Sequence, residues 1–509
     1  MNENKKLAVN SAILFVRLLV VSFIGLVCAR LVLQALGASD YGLYNVVGGF
    51  VVLLNVVNTA MITTTYRYIA YELGKGEQGD SNHIFNCSLA IHVAFGVLIL
   101  VFGLSVGEWY VSNYLNVPPD SVNDAHFVLR VSVLTAAIST FLVPFQGLLV
   151  AYEKFYVSAV IDIITNLFKL AAILMLVHMS GDRLRIYSLI MMAYVFISAS
   201  LFLFYSYRHY PATCRLRLVR DWPLYCEMFS FTGWLLIGAV SSVGKTQGSA
   251  MIINYFFGTV VNAAFAISNQ VENFILMFSR MLSQAAVPQI TKSFSGGDRQ
   301  RSVKLASYIS KYTYILMSLV AFPVIMDMQF LLEVWLKEVP EGTATFCRLM
   351  VLGGLIGCMG EGIPALTQAS GKIKYFQIIL SGISLMGLPI AIVSYNFGAP
   401  AYAILVIYCG IWLLSAAVRL VLLKRILGID IRYFIVTSYS RMLYISLPLV
   451  VAYLSFNLSG LSFGQHIAVL AGLEAFLIFD ILALGLDSRE REIIRKFLSN
   501  HKTNLPCRK

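Results

Sequence analysis

Apolar residues gather into fourteen long runs, at about 11–36, 43–66, 86–107, 127–150, 157–179, 186–206, 229–254, 260–288, 308–328, 345–369, 375–395, 401–423, 441–457 and 465–486. Each reaches or approaches the ~20 residues with which a helix crosses ~30 Å of hydrocarbon. The short segments between them are not alike. Every second one holds the basic residues: Lys5, Lys6, Lys75, Lys154, Arg208, Arg215, Arg217, Arg220, Lys292, Arg299, Arg301, Lys304, Lys372, Lys374, Lys424, Arg425, Arg432 and a basic tail from Arg489 to Lys509. The alternate set carries only Arg183, Arg185 and Lys337. Short basic loops stay cytoplasmic. The pattern therefore predicts an all-α polytopic membrane protein with an even number of spans and both termini inside.

Composition agrees, at 58% hydrophobic and 13% charged residues against about 25% charged in a soluble domain. The net charge of +12 is the sum of the basic loops, and no soluble basic domain remains to bind nucleic acid. The eight cysteines are scattered without ligand spacing, as small apolar filler would be. The N-terminus leads into a long apolar run without an A-x-A-like site, which reads as an uncleaved first helix.

Enzyme signatures fail. The longest outward connections, about 108–125 and 329–343, are too short for a catalytic domain. Gly244-Lys245-Thr246 ends like a phosphate loop, but Ala239 stands where its first glycine belongs, and the stretch lies in an apolar helix. No HExxH, GxSxG or histidine cluster occurs. The expectation is no enzyme site, no metal and no cofactor.

The chain echoes itself. Leu36-Gly37-Ala38-Ser39-Asp40-Tyr41-Gly42-Leu43-Tyr44-Asn45 follows the first run, and a glycine-acidic turn at Gly74-Lys75-Gly76-Glu77 follows the second. Phe257-Gly258-Thr259-Val260-Val261-Asn262 and Gly296-Gly297-Asp298 stand in the same relation to the seventh and eighth, with Gly37 to Gly258 and Gly76 to Gly297 each 221 residues apart. Six spans separate the copies, so their orientation in the membrane is the same. The expected organisation is a six-helix lobe at 1–206, a basic cytoplasmic linker at 207–228, a pseudo-symmetric six-helix lobe at 229–423, and two further helices with a basic tail at 424–509.

The Leu-Gly-x-x-x-Tyr-Gly-Leu-Tyr-Asn run after a first helix bearing Arg17 and Arg30, and the glycine-acidic turn after the second, resemble the Wzx-type polysaccharide (O-antigen) flippases. These belong to the multidrug/oligosaccharidyl-lipid/polysaccharide superfamily, with the MATE-type antiporters and the lipid II flippase. The resemblance implies alternating access between two lobes. It implies as cargo an undecaprenyl-pyrophosphate-linked oligosaccharide, carried to the outer leaflet of a bacterial inner membrane. Membrane lipids and other polysaccharide assembly proteins are the implied partners.

Intramembrane charges locate the candidate site, because each costs ~2.5–3.5 kcal/mol and faces a cavity or a partner. Arg17 and Arg30 lie ~20 Å apart along the first helix, lining a cavity or snorkelling. Asp162, Asn166 and Lys169 form one stripe of the fifth span, bracketing a wet cavity or neutralising one another. Lys245 lies deep in the seventh. Asn262, Asn269, Asn273, Arg280 and Gln284, with Glu272 beside them, make a polar seam on the eighth. In the tenth, glycines and Pro364 surround Glu361, which reads as a broken helix lining a cavity or as close packing with a cation beside the acid. The candidates for pyrophosphate and sugar are Arg17, Arg30, Lys169, Lys245, Asn269, Asn273 and Arg280. Asp162, Glu272 and Glu361 are candidates for ion coupling. The surplus of cations suits an anionic cargo; a cation-coupled (H⁺ or Na⁺) multidrug or small-molecule antiporter of the MATE type is the alternative. Glu474 and Asp480 in the last run have no role that this pattern assigns.

Overall fold

The computed structural model describes residues 3–370, 373–455, 460–487 and 490–492. The basic tail beyond 492, with Arg489, lies outside them. The helices are α1 (Glu3–Leu54), α2 (Val56–Gly74), α3 (Ser81–Asn113), α4 (Val122–Ala151), α5 (Phe155–His178), α6 (Arg183–His209), α7 (Trp222–Ser295), α8 (Arg299–Met326), α9 (Met328–Trp335), α10 (Thr343–Cys358), α11 (Gly362–Ala369), α12 (Ile373–Leu385), α13 (Gly387–Asn396), α14 (Ala403–Leu427), α15 (Ser440–Ser455) and α16 (Phe463–Asp480). No strand occurs among the described residues.

By length and apolarity eleven helices qualify as membrane spans, and twelve when α10 and α11, bent by 41°, count as one. Two of the eleven, Val16–Leu54 and Gly238–Met277, run 39 and 40 residues, about twice one crossing. Each is interrupted by a glycine outside helical geometry: Gly37 (φ 77°, ψ 173°) and Gly258 (φ 79°, ψ −171°). Only glycine occupies that backbone region at low cost, so the repeat seen in the sequence is a repeat of conformation. Gly76 and Gly297, the second matched pair, also share a positive φ (62° and 83°). Aspartates then cap the next helices: Asp80 accepts from the His83 N–H and Asp298 from the Arg301 N–H, both at 2.9 Å.

The chain divides into two units, one of residues 1–267, 335–343 and 384–404, the other of 268–334, 344–383 and 405–509. In the first, the two glycine junctions meet. Ser39 Oγ lies 3.0 Å from Thr259 Oγ1, and Asn262 Nδ2 donates to the Gly42 carbonyl at 3.1 Å. A Cβ on Gly42 would stand 1.8 Å from the Thr259 carbonyl oxygen, so glycine is what lets the backbones approach. The later segments are tied in by Trp335 Nε1, which donates to the Leu26 carbonyl at 3.1 Å, and by the Tyr395 ring against Phe256 and Phe257. In the second unit, Ile290, Ala306, Ile309, Ile363, Leu366 and Phe434 form a buried core. A Cβ on Gly362 would come 2.0 Å from the Ala306 carbonyl oxygen, so α11 and α8 touch backbone to backbone.

The expected linker is held against the start of α3. Asn82 Nδ2 donates to the Thr213 and Arg215 carbonyls at 2.9 and 2.7 Å. Buried Asn86 donates to the Arg215 carbonyl and accepts from the Arg217 N–H, each at 2.9 Å. His83 Nε2 lies 3.0 Å from the Asp221 carboxylate and holds that group below its ordinary range. Burial pushes the Cys214 thiol up to about 12, so it is inert. Asn86→Ala is expected to free this strap, read as at least threefold faster proteolysis between residues 210 and 221, with α3 itself retained.

Candidate functional site

In the first unit, α1, α5 and α6 bring charge together. The Arg17 guanidinium pairs with the Asp162 carboxylate. Asp162 is placed by its helix: Asn166 Nδ2 donates to its carbonyl at 2.8 Å and Thr165 Oγ1 at 3.2 Å. Lys169, two turns on, does not neutralise Asp162; its Nζ lies 5.2 Å from the centre of the Tyr194 ring on α6, a cation–π distance. Arg17 is thus a pairing residue, with 39% of its side chain still exposed. Arg30 is half-buried and makes no ion pair among the described residues. Lys245 is half-buried on α7, where its carbonyl accepts from Ser249 Oγ at 2.6 Å. The cluster of Arg17, Asp162 and Lys169 holds two cations and one anion.

A cavity of about 320 Å³ opens in the same unit. Its wall carries Tyr44, Asn45, Gly48, Gly49, Asn55, Ser132, Thr135, Ser139, Ser188 and Gln247, with Met191 and Val195 of α6 on either side of Tyr194 in sequence. Val51, Val52 and Ala136 complete a lining in which amides and hydroxyls stand among apolar side chains, with no charge. Gly49 makes room for Gln247, whose Oε1 would be 2.4 Å from a Cβ there. Asn55 Oδ1 accepts from Asn58 Nδ2 and Thr140 Oγ1, both at 3.0 Å, which fixes that end. None of the residues nominated from charge lines this cavity. Its signal in the sequence is fainter: Ser132, Thr135 and Ser139 recur at i, i+3 and i+7 on α4, a hydroxyl stripe on a mainly apolar span.

The remaining nominated residues fall in the second unit. Asn273 Nδ2 donates to the Asn269 carbonyl at 2.9 Å. Glu272 lies against Gly354, its Oε1 3.6 Å from where a Cβ would be. The Arg280 and Gln284 side chains lie outside the described residues. The seam is therefore divided by role, since Asn262 belongs to the glycine junction of the first unit. The helix is broken by 41° between α10 and α11, and the glycines serve packing, with Gly353 and Gly357 facing the Trp412 ring. Arg419 lies within electrostatic reach of Glu361, its Cδ 3.0 Å from a Cβ on Gly360. Arg419 Nε is buried without a hydrogen-bond partner.

Sequence reasoning passed over one buried charge pair. Lys311, 1% exposed, donates to both oxygens of Glu490 at 2.5 and 2.6 Å, and Tyr312 Oη donates to the same carboxylate at 2.6 Å. Among the described residues no group of three or more His, Cys, Asp and Glu side chains converges as metal ligands would.

No protein-family model matches the chain, and no curated protein matches it by sequence. Solved structures do match. The lipid II flippase MurJ, inward closed, superposes with a TM-score of 0.68 at 13% identity, over 92% of this chain and 98% of that one. An inward-facing multidrug resistance MATE transporter of the MOP superfamily gives 0.69 at 13% identity, over 82% and 98%. The MATE multidrug transporter DinF-BH gives 0.59 at 16% identity, over 83% and 96%. The chain shares its fold with these structures. It is a multi-pass membrane protein of the architecture shared by MATE transporters and MurJ, and identities this low carry the fold and not the substrate.

Proposed function

We propose that this chain is a Wzx-type flippase. It would move a polyprenyl-pyrophosphate-linked oligosaccharide from the cytoplasmic to the outer leaflet of a bacterial inner membrane, with both termini inside and no enzymatic step. The observation that carries the reading is the presence, within one unit, of a cation-rich cluster and an uncharged cavity whose largely apolar wall carries hydroxyls and amides. Lysine and arginine suit a pyrophosphate, and neutral hydrogen-bonding groups suit sugar hydroxyls. The superposition on MurJ reaches more of the chain than those on the MATE transporters, 92% against 81–84%. A membrane potential supplies ~2.3 kcal/mol per charge per 100 mV, which drives a doubly charged headgroup outward without nucleotide. The second reading, a cation-coupled multidrug antiporter, is favoured by the intramembrane carboxylates of Glu272 and Glu361 and by the MATE neighbours.

The test is leaflet exchange of a fluorescent polyprenyl-pyrophosphate oligosaccharide in sealed proteoliposomes. Ser132→Leu, which fills the cavity, and Lys169→Ala are each expected to slow exchange at least tenfold while the protein still inserts. Wild-type exchange in both variants removes the site assignment. No exchange by folded wild-type protein across several glycans, together with efflux of a cationic dye, establishes the antiporter instead.

A further inference from the structure

The last span holds two carboxyl groups that the proposed transport site leaves unused. α16 presents Leu473, Leu477 and Asp480 inward, followed by Ile481 and Gly485 of the π-turn Ile481–Gly485. Asp480 is therefore on the protein-facing stripe and is 4% exposed. Its Oδ2 is buried with no hydrogen-bond partner, and so is Glu474 Oε2 six residues earlier. Neither residue makes an ion pair among the described residues. The other intramembrane acids differ: Asp162 has Arg17, and Glu361 has Arg419 beside it.

The charged and titratable groups on the packed elements are spoken for. On α8, Lys311 and Tyr312 bind Glu490, and the Tyr314 hydroxyl meets Ser446. On α15, Arg441 Nη1 donates to the Leu484 carbonyl at 3.0 Å, while Tyr444 is exposed. Beyond the π-turn, Arg491 Nη2 donates to the Ala483 carbonyl at 2.8 Å and its Nε to Leu486 at 3.1 Å. Asp487 receives the Glu490 N–H at 2.9 Å. The guanidinium groups thus satisfy carbonyls at the end of the span and leave the carboxyl alone.

An isolated carboxylate in hydrocarbon costs several kcal/mol, and a proton is the ligand that removes the charge. We propose that Asp480 is a proton-binding site, occupied in this conformation and emptied when the adjoining π-turn shifts. A π-turn carries one extra residue, and passing it along by one position rotates the preceding segment by about 100°. That rotation would carry the carboxyl off the buried stripe. The role of this proton in coupling rests on the transporter reading; the site itself does not.

Dicyclohexylcarbodiimide tests it on the purified full-length protein. The protonated carboxyl adds across the reagent's C=N bond: its oxygen bonds to carbon, its proton goes to nitrogen, and nothing leaves. Peptide mass spectrometry is expected to find Asp480 modified at least fivefold faster than Asp162, with the rate falling as the pH is raised, because only the protonated carboxyl adds to the reagent. Asp480 left unmodified, or modified no faster than Asp162, overturns the proposal, and this arm needs no variant to fold. In proteoliposomes, Asp480→Asn is expected to abolish the response of leaflet exchange to an imposed pH gradient. A wild-type rate indifferent to that gradient overturns the coupling role. Labelled Asp480 in a protein that exchanges no glycan supports the proton site and removes the flippase reading.

Discussion

Lys311→Met is expected to destabilise the folded protein by about 3–5 kcal/mol, the cost of leaving one partner of a buried ion pair alone. Glu490 is 8% exposed and serves three donors at once: Lys311, Tyr312 Oη and the Asp487 N–H at 2.7 Å. Without the ammonium, a nearly buried carboxylate keeps two neutral donors and no countercharge. Glu490→Gln strands the lysine by the same logic. The double variant Lys311→Met, Glu490→Leu is expected to recover most of the loss, because removing both charges restores an apolar contact. Thermal unfolding in detergent micelles, with the singles and the double compared, measures this. Singles within about 0.5 kcal/mol of the parent would show that the pair does not hold α8 to the segment after α16.

Gly42→Ala should do comparable damage by another route. Its Cβ would stand 1.8 Å from the Thr259 carbonyl oxygen and 3.1 Å from the Ala263 nitrogen. Those are backbone atoms, so relief requires the two junctions to separate. That breaks the Asn262–Gly42 and Ser39–Thr259 contacts as well. Overpacking alone costs ~1–3 kcal/mol, and the lost hydrogen bonds add about 1 kcal/mol each. Gly25→Ala is the control, since nothing lies within 4 Å of its Cβ. In a helix interior it is expected to stabilise by up to about 1 kcal/mol. Equal yields and equal melting for the two variants would remove the close approach from the fold.

Much of the architecture was readable because it repeats a physical constraint along the chain. Hydrocarbon thickness imposes the apolar runs, and a left-handed backbone imposes glycine at 37, 76, 258 and 297. The glycine spacing survived as a conformational repeat even where two runs merged into one long helix. Charge partners were another matter. Arg17 finds Asp162 on α5, and Lys311 finds Glu490 far along the chain; no local period links such residues. Lys311 sits just inside an apolar run and Glu490 in a charged tail, so each has a bland local reading. The cavity was missed for the opposite reason. Its lining of Asn45, Asn55, Ser132, Thr135 and Gln247 is uncharged, and single polar groups in a span usually bind neighbouring helices.

The composition of the first unit sets an order of events during synthesis. It takes residues 1–267, then 335–343, then 384–404. A ribosome that has delivered everything up to Ile267 has supplied most of this unit and still cannot close it. Trp335 has yet to reach the Leu26 carbonyl, and Tyr395 has yet to fill its place beside Phe256 and Phe257. The early helices must therefore wait in the bilayer, with an open edge, until the segment ending at Ile404 has been delivered. A chain that terminates prematurely ahead of Ile404 would retain that edge, giving membrane quality control a feature by which to recognise it.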